Sequence, residues 1–308
     1  MRQILLWMAR NRWLKEHLPR LPFARRAVRR FMPGETMESA LEAAETFRPH
    51  GISVLFTRLG ENLTDLADAS AVTDHYHALL EEIAIRGLSG EISVKLTQLG
   101  LDLDPATTFS NAAVLVEHAN RLGGTFWIDM EGSAYTEATL SMYERLKTDA
   151  PGSRLGVCLQ SYLRRTPEDV HRLLPLKPAI RLVKGAYDEP AYIAYRKRAE
   201  VDAAYLSLAV LMLPAAAAGD LVLALGTHDV ALIERVADLG RAAGYPLTSF
   251  EVQMLYGIRT GEQIRLAKEG YAVRDLIAYG EAWYAWYMRR LAERPANVVF
   301  ALRQLVGR

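Results

Sequence analysis

Five charged residues lie within or at the end of short apolar runs of this sequence, where an unpaired charge is costly to bury. They are Lys95, Asp129, Arg181, Lys184 and Glu251. A buried charge is tolerated in a protein interior only when it is paired or hydrogen-bonded. Internal ion pairs would account for one or two of the five. We therefore predict that the five converge on one polar site.

Neutral polar residues occupy similar places in neighbouring runs. Gln160 follows the fourth run, Thr227 and His228 follow the sixth, and Gln253 lies inside the seventh. Amide, hydroxyl and imidazole groups at such positions can orient a small ligand by directed hydrogen bonds. For His228 taken alone, a satisfied core histidine is an equally good explanation.

Two adjacent arginines, Arg289 and Arg290, lie near the C-terminus in a segment with helical character. Their planar guanidinium groups can each bind a carboxylate through two parallel hydrogen bonds. On a helix, Arg289 would neighbour Glu293, and Arg290 would neighbour Trp286. Composition alone favours a solvated basic face, so the case for a carboxylate clamp depends on the ordered set of motifs along the chain.

Eight short apolar runs alternate with helical segments, a pattern typical of parallel β-sheets. The runs are apolar on both faces, as strands of buried parallel sheets are. Their number and spacing favour a closed eight-stranded α/β barrel, in which the carboxyl ends of the strands carry the chemistry. The predicted strands are Ile52–Phe56, Ile92–Leu96, Thr125–Met130, Leu155–Leu159, Ile180–Val183, Leu221–Leu225, Phe250–Leu255 and Tyr271–Ile277. The predicted helices cover residues 36–48, 69–86, 109–122, 134–148, 167–174, 200–218, 229–243 and 260–268.

Several classes of protein and site are disfavoured by the rest of the sequence. The 308 residues carry a net charge of +1, which is no signature of a nucleic-acid-binding protein. Neither a glycine-rich dinucleotide fingerprint nor a phosphate-binding loop is present. Cys158 is the single cysteine, and we expect it to be a small buried residue. His75 and His77 lack a third ligand at metal-binding spacing, so no metal site is predicted.

The near-zero net charge conceals a strongly basic N-terminal segment. Residues 1–30 contain nine basic residues and one acid, a net charge of +8, which leaves −7 for the rest of the chain. We divide the chain into an N-terminal helical arm, residues 1–35, and a barrel domain, residues 36–308. The arm has the composition of an amphipathic helix that binds anionic lipid. The alternatives are a solvated arm packed on the barrel and, less favoured, a transit peptide.

The ordered motifs resemble those of the proline dehydrogenase family, and more narrowly its short monofunctional bacterial members. They are Lys95-Leu-Thr-Gln-Leu-Gly100, Ile128-Asp129-Met130-Glu131, Leu159-Gln160-Ser161-Tyr162-Leu163, Arg181-Leu-Val-Lys-Gly-Ala-Tyr187, Thr227-His228, Phe250-Glu251-Val252-Gln253 and Arg289-Arg290-Leu-Ala-Glu293-Arg294-Pro295. The resemblance covers about residues 35–305. It implies a distorted (βα)8 barrel with noncovalent FAD and a last helix lying over the barrel mouth.

The resemblance also implies a reaction and a location. L-Proline would be oxidised to Δ1-pyrroline-5-carboxylate by hydride transfer from C5 to flavin N5, and the electrons would pass to a membrane quinone. The enzyme would lie in the bacterial cytoplasm, in peripheral contact with the inner face of the cytoplasmic membrane. An oligomer is compatible with the sequence.

On the substrate side, the resemblance assigns roles to charged residues first. Arg289, Arg290 and Lys95 are expected to bind the substrate carboxylate and, as cations, to disfavour the protonated substrate amine. Asp129 is expected to orient groups beside the substrate, and Glu61 to form an ion-pair gate with Arg289. The residues expected to wall the proline ring are Tyr187, Leu255 and Leu276.

On the cofactor side, Arg181 is expected to lie near flavin N5 and to stabilise the reduced isoalloxazine, which adds it to the catalytic set. Gln160 is expected to bind the pyrimidine edge of the flavin, and Glu293 its ribose. The other expected cofactor-binding residues are Val183, Lys184, Gly185 and Ala186 along the flavin side chain, together with Thr227, His228 and Gln253.

Two positions depart from the usual family pattern. Family members usually carry a tyrosine where this chain has Leu276, and another where it has Trp286. The missing hydroxyl at Leu276 removes a partner for Asp129 and leaves room beside the ring, so 4-hydroxyproline is an alternative substrate. A barrel aldolase that forms a Schiff base on Lys95 or Lys184 is an alternative enzyme. A lipid-binding module that depends on the arm alone is an alternative without catalysis.

Overall fold

Eight parallel strands close into a barrel in the computed structural model, which describes residues 5, 7–9, 11–18, 21, 24, 28–60 and 63–293, with backbone alone for residues 12, 15, 16, 292 and 293. Each strand pairs with the next along the chain, and the eighth pairs with the first. The strands are β1 Ser53–Arg58, β2 Gly90–Val94, β3 Phe126–Ile128, β4 Leu155–Gln160, β5 Ala179–Val183, β6 Val222–Gly226, β7 Glu251–Leu255 and β8 Ala272–Tyr279. All eight predicted strands and their barrel arrangement are confirmed.

Helices surround the barrel and connect its strands. They are α1 Arg12–His17, α2 Met37–Glu45, α3 Leu66–Ile85, α4 Pro105–Arg121, α5 Thr136–Asp149, α6 Thr166–Leu173, α7 Arg198–Ala217, α8 Val230–Ala242, α9 Thr260–Lys268 and α10 Trp283–Glu293. The helix α4 begins at Pro105, four residues before the predicted start, because Asp104 caps it. The Asp104 carboxylate accepts hydrogen bonds from the Ala106 and Thr107 amides, and Pro105 has no amide hydrogen to satisfy.

Alternate strand residues point into the barrel, where a small apolar layer separates its two ends. Leu55, Trp127, Ala179 and Ala224 form this layer. The Trp127 ring lies so close to β4 that a Cβ atom at Gly156 would come within 2.3 Å of it. Glycine at position 156 therefore makes room for the indole across the barrel interior.

The helix α7 is long and apolar enough to cross a membrane, and it is the one such helix among the described residues. Its buried residues include Tyr205, Leu208 and Met212, and the helix packs on β5, β6 and α8. Part of its apolar surface is thus buried against neighbouring strands and helices of the barrel.

The described residues of the basic arm pack on α10, the helix that carries the two arginines. Leu5, Val28 and Phe31 share one apolar cluster with Trp283 and Tyr287. The Phe31 and Tyr287 rings lie 5.8 Å apart. The apolar side of the arm is therefore buried against the last helix of the barrel.

Candidate active site

An arginine, a carboxylate and a hydroxyl form a closed triad inside the upper part of the barrel. The Arg181 guanidinium on β5 donates to the Asp129 carboxylate, which follows β3. Ser93 on β2 lies between them, since its Oγ accepts from Arg181 Nη2 at 2.7 Å and donates to Asp129 Oδ1 at 2.8 Å. Arg181 is 3% exposed, so this pairing is what allows its charge to remain buried.

The electrostatics of the triad keep Arg181 charged. Burial alone would lower the pKa of Arg181, but its interactions with neighbouring groups, of which the charge of Asp129 is the largest, outweigh burial and leave the pKa above its ordinary value. Cys158, the strand neighbour of Arg181, is itself buried, and its pKa is raised mainly by that burial. The expectation of a small buried cysteine is confirmed. A permanently cationic group therefore lies beneath the barrel mouth.

A second set of charges fills the barrel interior nearer the amino ends of the strands. Arg274 on β8 donates to both carboxylate oxygens of Glu251, at 2.8 and 3.0 Å. Arg274 also lies 3.5 Å from Glu91 on β2, whose carboxylate accepts from Trp127 Nε1 at 2.7 Å. Glu251 therefore lies at the floor of the barrel, because it begins β7, and the prediction that it lies at the rim with the other charges is wrong.

The barrel mouth holds a cavity of about 180 Å³ between the strand ends and α10. Two cations, Lys95 after β2 and Arg289 on α10, line it. The Lys95 ammonium donates to the Gly60 carbonyl at 3.4 Å. The remaining lining residues are Leu59, Gly60, Leu63, Ala282, Ala285 and Trp286. The cavity thus combines apolar walls with positive charge, a combination suited to a small carboxylate.

The aromatic residues at the mouth fix the directions of the two arginines. The Arg289 guanidinium lies 5.6 Å from the centre of the Tyr187 ring. The Arg290 guanidinium lies 5.9 Å from the Trp286 ring, which confirms the predicted pair of Trp286 and Arg290. Cation–π contacts of this kind restrict the rotamers of long side chains. The indole at position 286 therefore supports Arg290.

The strand ends that frame the cavity are tied together by a buried amide. Gln98 follows β2 and is 1% exposed. Its Nε2 donates to the Arg58 carbonyl at 2.8 Å, and its Oε1 accepts from the Lys95 amide at 3.3 Å. Lys95 is consequently held at the edge shared by β1 and β2.

Next to the cavity, the ends of β4, β5 and β6 form a polar cradle. Gln160 is buried, and its Nε2 donates to the Glu131 carbonyl at 3.2 Å. Gln160 Oε1 has no hydrogen-bond partner among the described residues. A buried acceptor without a donor indicates a ligand that supplies one.

A positive-φ glycine lies in the same cradle. Gly185 has φ +111°, and a Cβ atom there would come within 2.2 Å of the Tyr162 ring. Any larger residue at this position would push into the cradle or the ring. The half-buried backbone around it consists of Val183, Lys184, Gly185 and Ala186, and Thr227 and His228 follow the neighbouring strand β6.

Lys184 belongs to the cradle through its backbone, since its side chain is engaged elsewhere. The ammonium donates to Asp202 on α7 and lies 2.9 Å from Asp229 Oδ2. Burial alone would raise the pKa of Asp229, but Lys184 outweighs burial and leaves that pKa below its ordinary value. The prediction that Lys184 joins the other charges in one site is wrong for its ammonium, which is neutralised beside α7. The same pairing removes Lys184 as a Schiff-base lysine.

The residues predicted to wall the substrate ring, Tyr187, Leu255 and Leu276, are not among those that line the cavity. Leu255 ends β7, and Leu276 lies in the second half of β8. Both pack on the apolar cluster around α10. Gln253 lies within the barrel and accepts from Arg181. Glu61 lies outside the described residues, as does the side chain of Glu293.

Sequence reasoning missed three polar residues of the interior: Ser93, Glu91 and Arg274. The signal for Glu91 and Arg274 was present, because a charge inside a strand is the same criterion that identified Arg181. Glu91 was not predicted because β2 begins at Gly90, two residues before the predicted strand. Ser93 lies two residues before Lys95 and therefore on the same face of the chain.

The two histidines considered for a metal lie apart in separate contacts. His75 Nε2 is hydrogen-bonded to the Tyr279 hydroxyl at 2.8 Å, while His77 stacks on His118 with ring centres 4.8 Å apart. Burial and then the charge of Arg58 lower the pKa of His75 to about 4. Among the described residues, no three such side chains are placed to hold a metal ion.

Comparison with known proteins relates the whole barrel to one family. A family model described as proline dehydrogenase matches residues 40–303. The chain is 35% identical over 306 residues to proline dehydrogenase 1 of Bacillus subtilis, covering 99% of each chain. It is 36% identical over 280 residues to a proline dehydrogenase of Deinococcus radiodurans, covering 90% of this chain and 89% of that protein.

The fold has a counterpart among solved structures. The crystal structure of proline utilization A from Bdellovibrio bacteriovorus, inactivated by N-propargylglycine, superposes with a TM-score of 0.81. The two are 21% identical, and the match covers 94% of this chain but 38% of that one. The arrangement of strands and helices is therefore shared with part of that larger protein.

Proposed function

The chain belongs to the proline dehydrogenase family, and we propose that it oxidises L-proline to Δ1-pyrroline-5-carboxylate with a noncovalently bound FAD. The observation that carries the proposal is the cavity at the barrel mouth. Lys95 and Arg289 face it, and the Arg181–Asp129 pair lies below it. A small amino acid held by its carboxylate at the mouth would therefore present its ring toward a buried cation.

The cradle beside the cavity suits the flavin of FAD. Gln160 Oε1 is a buried acceptor with no partner among the described residues, and the N3–H of an isoalloxazine is a donor of the required kind. Gly185 leaves backbone open to close approach. We assign Val183, Lys184, Gly185 and Ala186 to the flavin side chain, Thr227, His228 and Gln253 to further contacts, and Glu293 to the ribose.

When bound, FAD supplies the hydride acceptor at N5. The residues of the chain prepare the substrate for that transfer. Lys95, Arg289 and Arg290 hold the carboxylate, and their combined charge lowers the pKa of the substrate amine, which favours its neutral form. Arg181, which stays cationic in the buried triad, stabilises negative charge that develops on the reduced ring.

The remaining residues shape the cavity and keep water out. Tyr187, Leu255 and Leu276 wall the ring of the substrate. We place Glu61 as the partner of Arg289 in a gate that closes over the bound substrate, since Gly60, which precedes it in the chain, lines the same cavity as Arg289. Exclusion of water strengthens every charge interaction inside the site.

Turnover with a matched variant tests the proposal. The protein, supplied with FAD, should convert proline to a product that reacts with an aminobenzaldehyde, as cyclic imines do, in the presence of a soluble quinone. Lys95→Met should lower kcat/KM for proline about 100-fold, since the carboxylate loses one of its cations. The absence of product with the FAD-loaded wild type would refute the proposed activity.

We also propose that the electrons pass to a membrane quinone and that the enzyme works in the bacterial cytoplasm, at the inner face of the membrane. Trp7 and Trp13 in the basic arm are 60% and 63% exposed, and exposed tryptophans beside basic residues favour the membrane interface. The double variant Trp7→Ala/Trp13→Ala should co-sediment less with anionic vesicles than the wild type. Equal co-sedimentation would leave the arm as packing for α10.

A second substrate, 4-hydroxyproline, is favoured by one observation. Leu276 lies at the barrel mouth where family members usually carry a tyrosine, and Asp129 is partnered instead by Ser93 and Arg181. Ser93 and Arg181 both bind Oδ1 of Asp129, so we propose that Oδ2 accepts from the hydroxyl of a hydroxylated ring. Comparison of kcat/KM for the two substrates tests this, and turnover of proline alone would exclude it.

A further inference from the structure

We propose that Glu251 is a positioning residue that sets the direction of the Gln253 amide and, through it, the placement of Arg181, the cation that we assign to the flavin. This inference rests on the proposed function, because it concerns Arg181, the residue to which that function assigns stabilisation of the reduced flavin. Glu251 does not reach the mouth cavity. Its effect would have to pass through Gln253, two residues further along β7 and on the same face of the strand.

A continuous chain of hydrogen bonds connects Glu251 at the floor of the barrel with Arg181 in the triad. Glu251 Oε1 accepts from Arg274 Nε and from Gln253 Nε2, each at 2.8 Å. Gln253 Oε1 accepts from Arg181 Nη1 at 3.4 Å. The other terminal nitrogen of Arg181, Nη2, is bound to Ser93 and Asp129. Arg181 is therefore held from two sides, by the triad and by Gln253.

The chemistry of the groups allows only one direction for this line. A carboxylate can only accept and a guanidinium can only donate. The Gln253 amide lies between one of each, so its Nε2 must face Glu251 and its Oε1 must face Arg181. With a neutral residue at position 251, the amide could turn over and present its NH2 to Arg181, where two donors would oppose each other.

Arg274 explains why Glu251 is held firmly enough to impose that direction. Its guanidinium donates two parallel hydrogen bonds to the Glu251 carboxylate, which is the strongest arrangement for an arginine–carboxylate pair. Burial lowers the pKa of Arg274, but the charges of Glu251 and Glu91 outweigh burial and leave it above its ordinary value. Glu251 is thus an anion held in place by Arg274, which does not line the mouth cavity.

The floor also supplies a matched control. Glu91 carries the same charge, lies at the same end of the barrel and approaches the same arginine, Arg274, at 3.5 Å. Its carboxylate also accepts from the Trp127 indole, and among the described residues it makes no hydrogen bond with Gln253. Glu251→Gln and Glu91→Gln therefore remove the same charge from Arg274. Glu91 also raises the pKa of Arg181 through its charge, by less than Asp129 does, so Glu91→Gln reports the effect of charge, and only Glu251→Gln releases the direction of Gln253.

The experiment compares both variants as FAD-loaded enzymes. Glu251→Gln should lower the midpoint potential of the bound flavin and change the absorbance of its reduced form, because Arg181 stabilises the reduced ring less well. It should slow the reduction of the flavin at saturating proline about tenfold, with KM changed less than about threefold. Glu91→Gln should resemble the wild type in the potential, the spectrum and the rate.

Equal changes in the two variants would overturn the inference, because they would show a general effect of charge or stability. Unchanged potential and rate in Glu251→Gln would overturn it as well. A second test uses Gln253→Leu, in whose background Glu251→Gln should have no further effect on the potential. Failure of the proposed function looks different, since the wild type itself would then bind no flavin or would not be reduced by proline.

Discussion

At the scale of single residues, the proposed site consists of a cavity at the mouth that is suited to a carboxylate and a buried cation below it. The mouth supplies Lys95 and Arg289 in one cavity. Beneath it, Ser93 bridges Arg181 and Asp129. In the proposed function the two parts have separate roles, because the mouth would hold the substrate carboxylate and the triad would supply the buried positive charge below it.

The first residue-scale prediction concerns the geometry of Arg289. Arg289→Lys keeps the charge but loses the planar pair of donors that a carboxylate accepts. We expect KM for proline to rise at least about tenfold while kcat changes less. Steady-state kinetics measure this, with Arg235→Lys on the exposed side of α8 as the control. An unchanged KM would show that Arg289 does not contact the substrate.

The second residue-scale prediction concerns Asp275, a fully buried carboxyl on β8. Burial raises its pKa to about 8, although the Gln263 side chain opposes the shift. Between about pH 4 and 8 the folded state therefore binds a proton that the unfolded state has lost. Stability must fall as the pH rises through this window.

Asp275→Asn removes this penalty and keeps the shape of the side chain. We expect the variant to have a higher Tm than the wild type at pH 8, with the gap in Tm narrowing by about 5 °C toward pH 5. Thermal unfolding at several pH values measures the gap. A gap that stays constant with pH would show that Asp275 does not titrate in this window.

Much of the site was predictable residue by residue, because a charge in an apolar strand has few explanations. Lys95, Asp129 and Arg181 were identified in this way, and the structure brings them to the upper part of the barrel. The direction of a side chain was not predictable. Lys184 extends toward α7, and Glu251 lies at the floor, because its position along β7 fixes its depth.

At the scale of elements, α10 and the arm act together. The helix α10 brings Arg289 to the mouth, and Phe31 in the arm packs on Tyr287 of that helix. The Trp283 indole donates to Glu35 at 2.9 Å. The close approach of the Arg30 carbonyl to Gly257, where a Cβ atom would lie within 1.6 Å, fixes this segment to the end of β7.

We therefore predict that Phe31→Ala weakens substrate binding as well as stability. Loss of a buried phenylalanine costs about 3 kcal/mol, and here it also loosens the helix that carries Arg289. KM for proline should rise about fivefold. Phe250→Ala is the control, because Phe250 is equally buried, at 3% exposed, but precedes β7 at the opposite end of the barrel. A similar rise in KM for both variants would contradict the prediction.

The order of elements was predictable, whereas their exact ends were not. Strand periodicity and apolar runs located all eight strands, since each must be buried on both faces. Helix α4 began earlier than predicted because Asp104 supplies a cap that overrides the polar first turn. The packing of the arm on α10 depends on contacts between the two ends of the chain, which no local pattern reveals.

At the scale of the whole molecule, the charges are distributed by function. The net charge of +1 is the sum of a +8 arm and a −7 remainder. Within that acidic remainder, the mouth cavity is lined by two cations. Under the proposed function, a proline molecule approaching the barrel would meet this positive charge at the position that we assign to its carboxylate.

The central claim is that proline held at this mouth reduces a flavin held in the adjacent cradle. The most direct measurement is the absorbance of the FAD-loaded protein near about 450 nm, recorded without oxygen as proline is added. We predict that proline bleaches this band and that an equal concentration of glycine does not. A protein that binds FAD but retains the full band with saturating proline would contradict the account.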